Sequence, residues 1–474
     1  MEADDLRSWL EKAKNLGELR LLEHADWNLE IGAITEIVDH RGNGPALLFD
    51  KIKDYPAGYR VLTNAMGSVR RVALTLGVKE EFEHPLDFVR YWKDHVKTIE
   101  PIPHKIVADG PILENVQSGK EVNVFKFPAP KWCPLDGGRY IGTGDVVVTR
   151  DPEEGWVNLG TYRVMLADEQ HIFVYMSPGK HGRIHREKCF AKGQPCKVAV
   201  SFGHDPALLT ASSLELPYGL TEYDYVGGIK GYPYEVVKAP FTGLPIPAAS
   251  EIVMEGEMLP DDLRMEGPFG EFTGYYASHT RPEPVVKIHT ILHRHDPIIL
   301  GSMNHIPPCE NSVYQGLMRS ALIWDELESI GIPDVRGVWC EPAGTTRMWI
   351  VVAIKQRYPG HAAQAGMAAT QTHGGAYMGR YVIVVDEDID PTDMNQVIWA
   401  ISTRSDPELD IDIKRRMWSG PLDPIIPKDR KGLNTRAVID ACRPYEWMSD
   451  FPLVARAEKE FRDKTLQKWK AQIF

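Results

Sequence analysis

The 474-residue sequence predicts a mixed α+β and α/β protein with a barrel-like β domain at its centre. Between about residues 141 and 297, short segments rich in Val, Ile and Tyr are bounded by Gly, Pro, Asp or Asn, as in GDVVVTRD and EPVVKIHTILHR. Many short strands with few helices between them are typical of a β-barrel. On both sides of this stretch, apolar strand and helix patterns alternate, which indicates α/β units. A chain of this length predicts two or three domains.

The N-terminal region begins with an amphipathic helix. Asp4 or Asp5 can cap its start, and Gly17 can end it. Its apolar face comprises Leu6, Trp9, Leu10 and Ala13. From 46 to about 76, short apolar runs alternate with turns, which suggests further α/β structure. The proline-rich stretch 101–134 is expected to form a surface connection with little regular structure.

The sequence after Asn311 predicts a separate C-terminal α/β unit. A helix pattern comes first and is followed by the strands VRGVWCEP and MWIVVAIK, a helix near 362–369 and the strand RYVIVVDEDID. The last expected helix, Leu453 to Lys470, is amphipathic and charged, and it is a candidate for packing against a partner subunit.

Composition excludes several classes of protein. The net charge of -12 argues against nucleic acid as a partner, because phosphate binding needs clustered Lys and Arg. The six cysteines form no CxxC pair, so neither a disulfide framework nor a zinc knuckle is expected. The acidic N-terminus is not a targeting peptide, and no window predicts a membrane span. A cytoplasmic protein is expected.

Glu266-Gly-Pro-Phe-Gly-Glu271 places two acids on one rigid turn. Such a pair suits acid–base chemistry, because shared burial can separate the two pKa values. The alternative is a surface turn with two solvated glutamates. The aromatic segment that follows, from Phe272 to Tyr276, looks like the wall of a pocket and favours the functional interpretation.

Asn158-Leu-Gly-Thr-Tyr-Arg163 lies at the start of an expected strand, and regular alternation puts Asn158 and Arg163 on opposite faces unless Gly160 breaks the strand. A buried arginine beside acids could hold a substrate carboxylate through two hydrogen bonds. Taken alone, Arg163 is more often a surface salt-bridge partner.

Two further segments carry candidate ligands. Residues 177–185 contain His181 and His185, but the proline and glycines there favour a loop over a helical zinc pair. A histidine in this basic loop can help to hold a phosphate, although ordinary loop basicity explains it as well. Residues 211–214 precede Glu222. Together with Asn158 and His181, that glutamate would suit Mg²⁺ or Mn²⁺.

These four segments, in this order, resemble the UbiD family of reversible decarboxylases. The most specific parts are Asn158 to Arg163, Glu222 and EGPFGEFTGYY. The resemblance implies a split β-barrel that binds prenylated flavin mononucleotide, whose phosphate is bridged to the protein by Mn²⁺ (or Mg²⁺) and K⁺. The metal ligands it implies are Asn158, His181 and Glu222. The cofactor-binding residues it implies are Asn158, Gly160, Thr161, Tyr162, Arg163, Lys180, His181, Ser212, Ser213, Leu214, Glu222 and Arg380.

The catalytic residues implied by the resemblance are Arg163, Glu266 and Glu271. The expected reaction is reversible, non-oxidative decarboxylation of an aromatic, heteroaromatic or α,β-unsaturated acid through a covalent adduct with the cofactor. Glu271 would be the proton donor, with Arg163 and Glu266 positioning. The alternatives are a flavin oxidoreductase on a similar barrel, for which no GxGxxG fingerprint follows a strand, and a non-catalytic subunit of a carboxylase complex.

The same resemblance implies partners and domain bounds. A flavin prenyltransferase would supply the cofactor, and the chain would form a homo-oligomer, a dimer or a hexamer. The expected parts are 1–110, an N-terminal α/β part of the cofactor domain; 111–310, the split β-barrel; 311–330, a linker helix; and 331–474, an α/β oligomerisation domain with a tail helix.

Overall fold

The computed structural model describes residues 5–214, 216–430 and 432–473. In chain order, the elements of the N-terminal part are α1 (Leu6–Asn15), β1 (Leu19–Glu23), α2 (Glu30–Asp39), β2 (Ala46–Asp50), β3 (Arg60–Thr63), α3 (Val69–Thr75) and α4 (Pro85–His95). Asp5 caps α1, and the four apolar residues expected on its inner face are buried, so this prediction is confirmed. Asp4, the other candidate cap, lies outside the described residues.

The central part is mainly β. Its elements are β4 (Lys105–Ile106), β5 (Asn115–Ser118), β6 (Tyr140–Gly142), β7 (Asp145–Arg150), β8 (Val157–Gly160), β9 (Arg163–Asp168), β10 (His171–Tyr175), α5 (His181–Ala191), β11 (Cys196–Phe202), α6 (Pro206–Ser213), α7 (Glu222–Lys230), β12 (Glu235–Lys238), β13 (Pro245–Pro247), β14 (Ile252–Glu266), β15 (Arg281–His293) and β16 (Ile298–Leu300).

The C-terminal part follows with α8 (Glu310–Ser329), β17 (Val335–Cys340), β18 (Trp349–Ile354), α9 (His361–Ala369), α10 (His373–Ala376), β19 (Tyr381–Asp386), α11 (Met394–Arg404), β20 (Ile411–Trp418), β21 (Leu433–Ala441) and α12 (Lys459–Ile473). Short 3-10 helices lie at Val96–Thr98, Pro111–Glu114, Gly119–Glu121, Val124–Lys126, Pro342–Gly344, Lys428–Arg430 and Tyr445–Asp450. Within the described ranges, the helices are all too short or too polar to cross a lipid bilayer.

The central antiparallel sheet curls into a half-barrel because of its connectivity. Its strand order is β6-β9-β10-β15-β14-β11-β7-β8, and β5 adds to β15. The chain passes from β8 at one end of this order to β9, the second strand from the other end, through only Thr161 and Tyr162. Three Cα–Cα steps span at most about 11 Å, so Gly160 and Arg163 must be close. The two ends of the sheet therefore face each other across a narrow gap, which confirms the expected split barrel.

Smaller sheets flank the half-barrel. The N-terminal sheet has the order β1-β2-β3-β16, so the chain returns to it after the long β14–β15 hairpin. The C-terminal sheet has the order β17-β18-β19-β21-β20, and α8 packs against both β17 and α4. The expected helix at 362–369 is confirmed as α9. The last helix begins at Lys459, later than expected, because residues 453–458 are neither helix nor strand, and Leu453 is almost fully exposed.

The N-terminal part depends on a buried cation, Arg71 on α3. Its side chain is completely buried and donates to the carbonyl oxygens of Ala65 and Gly44 at 3.0 and 2.7 Å. It also forms an ion pair with Glu18. Its neighbour Arg70 is about half exposed and lies 3.6 Å from the same glutamate.

We expect Arg71→Met to lower the free energy of unfolding by about 3–5 kcal/mol, because it removes the buried guanidinium from the partly buried carboxylate of Glu18 and from two backbone carbonyls. The neighbouring change Arg70→Met should cost less than about 0.5 kcal/mol. Urea denaturation of both variants measures the difference. Equal losses in the two variants would contradict the assigned role of Arg71.

Candidate active site

Arg163, Glu266 and Glu271 converge in the interior of the half-barrel. Arg163 is the first residue of β9, Glu266 is the last residue of β14, and Glu271 follows in the loop to β15. Nε and Nη2 of Arg163 donate to the two oxygens of Glu266 at 2.9 and 2.7 Å. Nη1 donates to Glu271 and, at 3.0 Å, to Ser278. The structure thus brings the three predicted catalytic residues together.

Four further side chains complete this cluster, and sequence reasoning missed them. Ser278 donates to Glu271 at 3.1 Å, and Tyr140 donates to Glu266 at 3.3 Å. The guanidinium of Arg163 lies 4.3 Å from the ring centre of Tyr175 and 5.6 Å from that of Phe269. Phe269 lies inside the EGPFGE turn, so its proximity could have been anticipated. Tyr175 pairs with Arg163 across β9 and β10, a register that a single sequence does not reveal.

Burial sets the electrostatics of the cluster. Burial raises the pKa of the Glu271 carboxyl, and the charge of Arg163 only partly opposes this effect. For Arg163, burial opposes the charged form, but Glu271 and Glu266 more than offset it, so its pKa is raised. Burial also raises the pKa of Tyr140, which keeps its hydroxyl protonated as a donor. The cluster can therefore hold a proton on Glu271 beside a permanently charged guanidinium.

A second cluster joins the predicted metal ligands. Oδ1 of Asn158 on β8 lies 3.0 Å from Nδ1 of His181, the first residue of α5. Glu222 begins α7 and accepts a hydrogen bond from the backbone N–H of Leu159 at 2.8 Å. Asn158 and Glu222 are buried, and His181 is half-buried. Burial raises the pKa of Glu222 to about 8.

This cluster fits a hard divalent cation. Within the described residues, the hydroxyl oxygens of Ser212 and Thr161 are buried and have no hydrogen-bond partner. The backbone N–H of Thr161 donates to the carbonyl of Ser212 at 3.3 Å, so the two hydroxyls belong to adjacent segments. One nitrogen and several oxygen ligands suit Mn²⁺ or Mg²⁺. Buried hydroxyls without partners are also what a bound phosphate or K⁺ would satisfy.

The other predicted cofactor residues surround this cluster. Ser213 donates to the carbonyl of Thr210 at 2.8 Å, and the half-buried Leu214 caps the end of α6. Lys180 is exposed and directly precedes α5. A Cβ on Gly160 would lie 2.7 Å from the ring of Tyr162, whose hydroxyl accepts from the N–H of Gly182. Tyr162 therefore links the β8–β9 connection to the start of α5.

The prediction of a loop over 177–185 is wrong from His181 onward, because helix α5 begins at that residue. His181 and His185 are thus one helical turn apart. Their Nδ1 atoms have different partners, because that of the buried His185 is 3.0 Å from the hydroxyl of Thr149 and that of His181 is 3.0 Å from Oδ1 of Asn158. Burial lowers the pKa of His185 to about 4, so it stays neutral.

Arg380 is the predicted site residue that the structure places elsewhere. It donates to both oxygens of Asp423 at 2.6 and 2.7 Å in the C-terminal part. Among the described residues, no hydrogen bond or ion pair joins it to Asn158, His181 or Glu222. A guanidinium that reaches a phosphate would first have to break two charged hydrogen bonds, so this geometry does not support the assignment.

A cleft of about 580 Å³ leads to the Arg163 cluster. One side is formed by Tyr175 and by the loop from Tyr275 to Arg281, and the other by residues 421–427. Arg380 holds Asp423 in this second segment and therefore shapes the cleft. Tyr275 is well exposed and Tyr276 half-buried, so the aromatic segment after Glu271 does line the opening.

Comparison with known families gives matches along most of the chain. Three family models of the 3-octaprenyl-4-hydroxybenzoate carboxy-lyase, UbiD, match: the N-terminal domain at 8–84, the Rift-related domain at 105–307 and the C-terminal domain at 312–441. A pyrrole-2-carboxylic acid decarboxylase of Pseudomonas aeruginosa is 35% identical over 460 residues, which cover 94% of this chain and 92% of the relative. A phenolic acid decarboxylase of Sedimentibacter hydroxybenzoicus is 33% identical over 454 residues, with 93% and 92% coverage.

Solved structures agree with these matches. The vanillic acid decarboxylase of Sedimentibacter hydroxybenzoicus in its open form superposes with a TM-score of 0.84 at 30% identity and covers 99% of each chain. The UbiD-class enzyme HmfF from Pelotomaculum thermopropionicum, in complex with FMN, gives a TM-score of 0.84 at 27% identity, with 97% and 98% coverage. An evolved dimeric form of HmfF in complex with prFMN gives 0.82 at 26% identity, with 98% of each chain covered.

The raised pKa of Glu222 predicts how divalent cations bind to the flavin-free chain. Its folded pKa of about 8 lies above the ordinary 4.5, so the group stabilises the fold below pH 4.5 and that contribution is lost as pH rises through 8. A metal needs the carboxylate, so binding of Mn²⁺ near pH 7 should release about one proton. Its affinity should rise roughly tenfold per pH unit up to about pH 8 and then level off.

Isothermal titration calorimetry of Mn²⁺ binding, repeated in buffers of different ionisation enthalpy, gives the number of protons released per ion bound. Glu222→Gln should remove the proton release and weaken Mn²⁺ binding. An affinity for Mn²⁺ that does not change between about pH 6 and about pH 8 would show that Glu222 is not the ligand.

Proposed function

Because the chain belongs to the UbiD family of carboxy-lyases, we propose that it catalyses the reversible, non-oxidative decarboxylation of an aromatic, heteroaromatic or α,β-unsaturated carboxylic acid. The observation that carries this proposal is the buried convergence of Arg163 with Glu266 and Glu271 at the end of a cleft. Two acids and one guanidinium beside a cavity can bind a carboxylate, release neutral CO₂ and return a proton to carbon.

Glu271 is the proposed proton donor. Its pKa is raised by burial, so the protonated carboxyl is available closer to neutral pH than for an exposed glutamate. It lies on the loop that lines the cleft rather than inside a strand, and Ser278 and Arg163 orient it. A carboxyl held in this way can deliver its proton to a carbon in the cleft and recover it in the reverse direction.

Arg163 and Glu266 are the proposed positioning pair. Glu266 occupies the guanidinium fork of Arg163 with two hydrogen bonds, so a substrate carboxylate cannot take both of these positions at once. The substrate would be steered by the positive charge and by a single remaining N–H. Glu266 keeps the guanidinium plane fixed against the ring of Tyr175. The electrostatic field at the cleft is thereby set before substrate binds.

The cofactor of this proposal is prenylated FMN, which the Asn158, His181 and Glu222 cluster would anchor through Mn²⁺ or Mg²⁺ on its phosphate. Ser212, Ser213 and Leu214 would border a K⁺ site, and Thr161 and Tyr162, which connect this region to Arg163, would help to hold the cofactor. When bound, the flavin supplies an electron sink for the carbon that loses CO₂. The partnerless hydroxyls of Ser212 and Thr161 support this placement.

Relatives that act on pyrrole-2-carboxylic and phenolic acids support an aromatic or heteroaromatic substrate. We also propose that the cofactor comes from a flavin prenyltransferase, that the enzyme is cytoplasmic and that it forms a homo-oligomer, a dimer or a hexamer. Exposed apolar side chains on the C-terminal part, including Ile398 and Trp399 on α11, support an interface there. Light scattering of the purified chain measures the subunit number.

Glu271→Gln tests the mechanism in protein made together with a flavin prenyltransferase. The amide keeps the shape and the hydrogen bonds but cannot donate a proton, so CO₂ release should fall about 100- to 10,000-fold. The visible spectrum of the bound flavin should be unchanged. Turnover is measured by CO₂ release and by deuterium incorporation at the product carbon.

The matched control is Glu257→Gln, which changes a half-buried glutamate of β14 that is hydrogen-bonded to His289. It should retain wild-type turnover. If Glu271→Gln were as active as this control, Glu271 would not be the proton donor. If wild-type protein produced without the prenyltransferase were fully active, the requirement for prenylated flavin would be wrong.

A further inference from the structure

A cluster of possible metal ligands lies outside the site described above. Glu36 lies in the last turn of α2, His40 caps the end of that helix, and His305 comes from the segment between β16 and α8. One carboxylate oxygen and one ring nitrogen from each histidine lie within 4.8 Å of one another. Glu36 and His40 are four residues apart, so they face the same side of the helix end.

The backbone carbonyl of Ile306 lies at the centre of this cluster. Nε2 of His40 is 2.7 Å from its oxygen, and Nδ1 of His305 is 2.8 Å from the same oxygen. The two imidazole rings meet edge to face, with their centres 5.1 Å apart. Two ring nitrogens and one carbonyl oxygen thus converge on the same small volume.

The other nitrogen of His305 decides the state of its ring. Nε2 is 2.9 Å from Oδ2 of the buried Asp39, which as a carboxylate can only accept, so Nε2 carries a proton. In a neutral ring, Nδ1 then has a lone pair that points at the carbonyl lone pairs of Ile306. Such a contact is repulsive unless a second proton or a cation lies between the two atoms.

Asp39 gives an independent indication of a ligand. Its side chain is more than nine-tenths buried, and Oδ1 has no hydrogen-bond partner within the described part of the chain. Metal-binding histidines usually donate a hydrogen bond from one ring nitrogen to a carboxylate outside the coordination sphere. The other ring nitrogen then faces the remaining metal ligands, as Nδ1 of His305 does here. The carboxylate fixes the tautomer and increases the electron density on the ligand nitrogen.

We propose that Glu36, His40 and His305 bind a divalent transition-metal ion. Two imidazoles and one carboxylate, with a fourth position open to water or to the carbonyl of Ile306, favour Zn²⁺ over Mg²⁺ or Ca²⁺. His40 is exposed and Glu36 half-buried, so the ion can enter from solvent. The cluster is separate from Asn158, His181 and Glu222.

The ion would tie α2 to the segment that faces the catalytic loop. A Cβ on Gly274, three residues after Glu271, would lie 3.0 Å from Cα of Ile306. The two segments are therefore in direct contact. An ion held by His40 and His305 would fix Ile306, and with it the wall against which the Glu271 loop packs.

Metal titration of the full chain tests the proposal after the protein has been stripped with a chelator. Co²⁺ serves as a spectroscopic substitute for Zn²⁺, because a tetrahedral nitrogen–oxygen site gives a strong visible band. One equivalent should produce this band, and one equivalent of Zn²⁺ should remove it. Zn²⁺ should also raise the melting temperature. His40→Gln and Glu36→Gln should each weaken Zn²⁺ binding at least about tenfold.

Two controls separate this site from the other cluster and from histidines in general. Glu222→Gln removes a ligand of the other candidate metal cluster and should keep the Co²⁺ band. His84→Gln changes another partly exposed histidine that is hydrogen-bonded to a carboxylate, Asp390, and should bind Zn²⁺ like the wild type. The proposal is overturned if His40→Gln and Glu36→Gln bind Zn²⁺ normally, or if Glu222→Gln alone abolishes the band.

Discussion

The short crossing from Gly160 to Arg163 is the constraint on which the whole site depends. It joins the edge strand β8 to β9, which lies beside the opposite edge strand β6, so the sheet has to curl until its ends nearly meet. Asn158 therefore lies in one edge strand, and Arg163 lies at the start of the strand beside the other edge. The proposed cation ligand Asn158 and the guanidinium of Arg163 are therefore held only a few residues apart.

Burying the Arg163 cluster has a large cost in desolvation free energy when the chain folds. Three ionisable side chains are removed from water together, and the attraction among them does no more than offset their lost hydration. Well-packed apolar residues would serve stability as well. Retention of such a cluster at the end of an open cleft is therefore better explained by chemistry than by stability. Tyr175 and Phe269 enclose the guanidinium and exclude water from its faces, which strengthens every charge interaction inside.

Much of the fold could be predicted from the sequence, because apolar periodicity is a local signal, whereas the meeting of the main site residues was expected from the resemblance to the UbiD family. The helix at His181 was missed, since Pro178 and Gly179 suggest a loop and nothing local shows that α5 starts directly after them. Strand alternation does not apply to Asn158 and Arg163, because the first strand ends at Gly160, the break that this glycine had left open, and Arg163 begins the next strand. Ser278 meets Arg163, and Arg380 meets Asp423, through packing between segments that are distant in the chain. A single sequence does not reveal such contacts.

The unequal sharing of one guanidinium is consistent with the different roles proposed for two similar glutamates. Glu266 receives two of the N–H groups of Arg163, in the plane of the fork, whereas Glu271 receives one N–H of Nη1 and Ser278 accepts the other. With both acids ionised, the cluster carries an excess negative charge in a buried place, and a single proton makes it neutral. Burial raises the pKa of Glu271, which favours a proton on the acid that belongs to the loop beside the cleft.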